Sequence, residues 1–92
     1  MMGTKNNPGK FDCYANAEPD EPIFILLGRD PHSHAAVRKW ADDRYSMICA
    51  GLKPVSDIHL VVEARQCAEA MEQYSIMRRR RMNAEVAREK GP

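Results

Sequence analysis

Cysteine is scarce in this chain. Cys13, Cys49 and Cys67 are odd in number and far apart, and no CxxC occurs. That excludes a disulfide framework and fits reduced thiols in an intracellular protein. Long apolar runs are missing too. The longest is IFILL, residues 23–27, far short of the roughly 20 residues of a membrane-spanning helix. The opening stretch MMGTKNNPGK is polar and has no apolar centre of the kind a secretory signal needs. The expectation is a soluble, cytoplasmic protein. Catalytic signatures are also lacking. There is no Gly-rich phosphate loop and no Ser-His-Asp logic. Asp42 and Asp43 are adjacent, so on a helix they point different ways. No enzyme and no cofactor are expected.

A strong charge of one sign is absent from the whole but not from its parts. The net charge is +1. Residues 1–55 carry seven basic and seven acidic groups, residues 56–77 one against four, and residues 78–92 six against two. An acidic stretch therefore precedes a basic end. Such asymmetry suits a nucleic-acid tail or two chains packing head to tail.

The 92 residues make one domain at most. The reading is a disordered N-terminus over 1–10, a single small domain over 11–77 and a basic helical extension over 78–92. A chain this small is marginal alone, and self-association is a common remedy. The stretch FDCYANAEPDEP, residues 11–22, reads as a loop. IFILLG then reads as a short strand, rich in branched residues and bounded by Pro22 and Gly28. One strand cannot satisfy its own backbone. Its partner is either the preceding segment or a copy from another subunit.

Asp30-Pro31 is a helix start, because Asp caps free N–H groups and Pro fits the first turn. A first helix is predicted from about Pro31 to Ala50, with Val37, Trp40, Ala41, Ile48 and Leu52 near one face. Gly51 and Pro54 end it. Ser56 then caps a second helix, which meets no breaker until Gly91. Its seam is read as Leu60, Ala64, Cys67, Met71 and Tyr74. The short connector makes the pair an antiparallel hairpin. The fold class is mainly α: an N-terminal loop and short β-strand, followed by an antiparallel two-helix hairpin with a long second helix.

Candidate sites follow from residue type. A helix N-terminus carries partial positive charge and suits an anion. Arg29 lies just before the first helix, His32 and His34 in its first turn, and Arg38 beyond. Together they form a candidate phosphate or carboxylate site, although Asp30 competes for the same N–H groups. Phe11, Tyr14, Asn16, Asp20 and Glu21 offer aromatic, amide and carboxylate groups for a base. Their alternative role is to lid the hairpin and fix a turn. Histidines two apart do not face one metal on a helix, and the cysteines add no recognised spacing, so no metal site is assigned. Arg78, Arg79, Arg80 and Arg81 form a cationic collar. It can touch nucleic-acid phosphates, or pair with Glu63, Glu69 and Glu72 of a neighbouring copy.

The stretches DEPIFILLGRD, VRKWA and EARQCAEAMEQY resemble a family of short phage and prophage proteins. The matching positions are Asp20, Glu21, Pro22, Phe24, Leu26, Asp30, Val37, Trp40 and Ala41, then Ala68, Ala70, Met71 and Glu72. The resemblance spans roughly residues 11–74 and leaves out the basic end. It implies a phage setting, in an infected bacterial cell, rather than a mechanism. A small N-terminal segment before a helical hairpin is also similar in architecture to phage sponges of cyclic nucleotide immune signals. Those are oligomers that hold the signal between subunits. The leading expectation is thus a non-enzymatic, homo-oligomeric phage accessory protein that antagonises host defence by sequestering a nucleotide second messenger. Arg29, His32, His34 and Arg38 would meet phosphate, and Tyr14 and Asn16 the base. The alternatives are a protein inhibitor of a host defence or replication complex, and a nucleic-acid binder through Arg78–Arg81.

Overall fold

The structure, a computed structural model, describes residues 3–7 and 13–89, with only the backbone for 13, 14 and 87–89. Its elements are α1 (Cys13–Asn16), α2 (Ser33–Cys49), a 3-10 turn (Val55–Asp57) and α3 (Ile58–Glu89). Near the start, Thr4 and Asn7 exchange backbone hydrogen bonds of 2.8 and 3.2 Å.

The hairpin is built as the turn chemistry requires. Gly51 adopts φ +77°, a left-handed conformation that costs glycine least. Its N–H donates to the Ile48 carbonyl, and the N–H of Leu52 donates to Met47. This is a Schellman closure, which satisfies carbonyls orphaned at the end of α2. Pro54, with ψ 148°, then precedes the 3-10 turn, and α3 starts at Ile58 rather than directly after a Ser56 cap. Arg44 and Asp57, 3.1 Å apart, tie the turn back to α2.

The two long helices meet along small side chains. Ala41 of α2 packs with Val61 and Ala64 of α3, flanked by Val37, Trp40 and Ile48. Ala68 is also buried. Small residues at the contact line let two helix axes approach closely. The expected seam is therefore rotated. Val61 and Ala68 are buried, whereas Tyr74 is exposed and Leu60 and Cys67 are only half-buried. Leu52, expected on the apolar face of α2, lies after the Gly51 turn and is 74 % exposed.

The expected strand does not form. No strand is present among the described residues, and residues 21–27 carry no regular structure. A strand needs a partner edge, and the described remainder of the fold is helices whose backbone groups are already paired. Phe24 is 87 % and Ile25 63 % exposed.

Lengths decide the outline. At 1.5 Å per residue, the 17 residues of α2 span about 26 Å and the 32 of α3 about 48 Å. The far end of α3 therefore runs past its partner. From Arg79 to Val86 every side chain is exposed. No helix of the described residues is long and apolar enough to cross a membrane.

Candidate functional site

Two regions carry the chemistry: the joint before α2 and the projecting end of α3. The joint is closed by its own hydrogen bonds. The N–H of Asp30 donates to the Leu27 carbonyl at 3.1 Å, and the N–H of Ser33 to the Asp30 carbonyl at 3.2 Å. The buried Ser33 hydroxyl donates toward the carbonyls of Leu27 and Asp30. The Asp30 carboxylate accepts the N–H of His32 at 2.9 Å. Asp30 thus acts two residues upstream of the helical boundary. His32 occupies the cap position and makes no side-chain capping bond. The Asp30 carboxylate and carbonyl already take N–H donors that an anion would need, and the Ser33 hydroxyl is spent on carbonyls.

Of the four expected phosphate ligands, the structure brings together His34 and Arg38, and it adds two carboxylates. Arg38 donates to Glu72 and to Glu69, each at 3.3 Å. It also lies 2.7 Å from Nδ1 of His34, which is 3.4 Å from Glu72. Nδ1 accepts from Arg38 in the tautomer that leaves it without a hydrogen, or donates to Glu72 when it carries one, and cannot do both. The Arg38 hydrogen bond holds the Glu72 carboxyl below its ordinary range, and the same bond raises the Arg38 guanidinium. This cluster clamps the start of α2 to α3. Glu69 and Glu72, read from sequence as partners for a neighbour's arginines, are engaged within the chain.

Arg29 and His32 stand apart from the clamp and are exposed. Arg29 has no ion pair among the described residues. Asn16 ends α1 and is exposed. The side chains of Phe11 and Tyr14, expected to stack on a base, lie outside the described residues. Glu21 does fix a turn. Its carboxylate accepts the N–H of Glu18 at 3.1 Å, and its own N–H donates back at 3.0 Å. Among the described residues no group of three or more His, Cys, Asp or Glu side chains is placed to hold a metal. Burial pushes the Cys67 thiol up, away from the reactive thiolate form.

The end of α3 is arranged differently. Val61, Ala64, Ala68, Met71, Ser75, Arg78 and Met82 alternate at spacings of three and four, the repeat of a packed helical seam. Val61, Ala64, Ala68 and Ser75 are buried under the hairpin. Met82 continues the seam beyond the span of α2 and is 47 % exposed, as is Val86. Arg78, Arg79, Arg80 and Arg81 surround this segment and have no carboxylate partner among the described residues. A shallow depression lies between Ile76, Arg79, Arg80 and Asn83. The sequence identified the arginines, but only the lengths of the packed helices expose the seam beside them.

No family model, curated protein or solved structure matches this chain.

Proposed function

We propose that this chain is a non-enzymatic binding protein whose α3 arm docks into a groove on a host protein. In the phage setting implied by the sequence resemblance, it is an accessory protein that blocks a host defence or replication complex. The observation that carries this reading is the continuation of the core seam past the start of α2, with Met82 and Val86 half-exposed next to Arg78–Arg81, which have no carboxylate partner among the described residues. A helix with apolar anchors and flanking cations fits an apolar groove rimmed by carboxylates. Membership of the interface core is where Met and Arg are enriched.

The test uses the tagged full chain in host extract, beside Met82→Asp/Val86→Asp. The expected result is a host protein retained by the wild type and lost by the double variant, with unchanged helical circular dichroism. Retention that survives the double substitution overturns the reading. So does capture of nucleic acid alone with a steep salt dependence set by Arg78–Arg81.

Nucleotide sequestration is the second reading. It is favoured by the exposed Arg29 beside the first turn of α2, a side chain with no ion pair among the described residues. In this reading Arg29 and His32 make first contact with phosphate, and Arg38 and His34 join only by leaving Glu72. Tyr14 and Asn16 would face the base, and subunits would share the ligand. Native mass spectrometry with a panel of cyclic nucleotides tests it. An intact nucleotide retained by wild type and lost in Arg29→Ala supports it, and a bare protein across the panel removes it.

A further inference from the structure

We infer that Ile23–Leu27 pairs antiparallel with the same segment of a second copy, in the register where opposed residue numbers add up to 50. The inference is independent of the arm's partner. It starts from unpaired backbone. Among the described residues, the N–H and C=O groups of residues 23–26, the Pro22 carbonyl and the Gly28 N–H make no hydrogen bond. The side chains beside them are Ile23, Phe24, Ile25, Leu26 and Leu27, all exposed. An exposed apolar edge of this kind is a template for strand addition.

Charge and hydrogen bonding choose the register. Antiparallel pairing about Ile25 sets Glu21 opposite Arg29 at both ends, Ile23 opposite Leu27 and Phe24 opposite Leu26. Glu21 keeps a carboxylate oxygen free of its bond to Glu18, and Arg29 has no other ion pair among the described residues. A parallel pairing would set like charges together. With Ile25 at a non-hydrogen-bonded position, Phe24 and Leu26 exchange bonds across the axis and the Gly28 N–H donates to the Pro22 carbonyl. Every group in that ladder is free among the described residues, and the missing N–H of Pro22 leaves only the opposing Gly28 carbonyl unmatched. The Leu27 carbonyl, already taken by Asp30 and Ser33, is not called on. The ladder ends at Gly28, because the Asp30 N–H bond to the Leu27 carbonyl turns the chain over residues 27–30, and Arg29 reaches toward Glu21 from that turn.

Sedimentation of the full chain across a concentration series tests this. A dimer is expected for the wild type. Ile25→Asp places two carboxylates across the axis and should give a monomer with unchanged helical signal, since Ile25 lies outside the hairpin core. Glu21→Arg or Arg29→Glu should each weaken dimerisation roughly tenfold, from two cross-strand pairs turned repulsive, and the double exchange should restore it. Register is read with single cysteines in a chain whose three native cysteines are replaced by serine. Ile25→Cys should oxidise to a disulfide dimer, because opposed non-hydrogen-bonded Cα atoms sit about 4.5 Å apart. Phe24→Cys should not. A monomeric wild type, a dimer indifferent to Ile25→Asp, or equal crosslinking at both positions overturns the proposal.

Discussion

Val61→Ala is the sharpest test of how the hairpin holds together. Among the described residues Val61 is the largest fully buried side chain, set between α2 and α3, and its buried neighbours Ala41 and Ala64 are alanines. The substitution removes two methyl groups, at about 0.8 kcal/mol each. Alanine neighbours cannot swing inward to fill the gap. A residual cavity of roughly 40 Å³ adds about 1 kcal/mol at about 24 cal/mol per Å³. The expected loss is about 2.5 kcal/mol. A domain of this size holds roughly 4–12 kcal/mol in total, so a large share disappears. At about 4–8 °C per kcal/mol, Tm should fall by about 10–20 °C. The assay is thermal and urea unfolding followed at 222 nm, at one fixed protein concentration so that self-association does not enter the comparison. The urea midpoint should drop with the slope unchanged. Leu52→Ala is the control. Leu52 is the larger side chain but lies in solvent beyond the turn, so its loss should stay within about 0.5 kcal/mol. Equal effects at the two positions, or a loss below about 0.5 kcal/mol at Val61, would refute the packing described.

Two further predictions concern polar groups. The Glu72 carboxyl is held below its ordinary range by Arg38. Its stabilising contribution is therefore complete above the unfolded carboxyl value of about 4.3 and fades as pH falls through the folded value. Thermal scans from pH 7 to pH 3 should show wild type above Glu72→Gln at neutral pH, with the gap closing in acid; a gap that stays constant would exclude the clamp. Ser75 is buried in α3 with no partner for its hydroxyl among the described residues. Ser75→Ala removes an unmet donor and should raise stability by about 1 kcal/mol in urea titration; a loss instead would reveal a hydrogen bond that this geometry lacks.

Much of the hairpin was legible before any coordinates. Gly51 and Pro54 mark the turn by their own backbone limits, and the run without breakers after Ser56 foretold a long second helix. Those are local properties, and the structure keeps them. The seam was readable only approximately. Leu60, Cys67 and Tyr74 repeat at helical spacing as well as Val61 and Ala68 do, and nothing local says which neighbouring row faces a partner. Close approach of the helices chose the row with the small residues.

The expected site divides in the same way. Arg29, His32, His34 and Arg38 are near one another in sequence, and their grouping at the start of α2 follows from that alone. Glu69 and Glu72 lie more than thirty residues further on. Only the antiparallel return of α3 sets them beside Arg38 and converts a candidate phosphate ligand into an interhelical clamp. The apolar run at residues 23–27 likewise carries strand composition, yet a strand exists only against another edge, and this chain supplies none among its described residues. Composition and turn chemistry thus determined which segments are helical and where they reverse, because those depend on neighbours in sequence. Which charges are satisfied, which face is buried and which apolar residues are left uncovered depend on what the fold brings alongside, and that the tertiary structure alone decided.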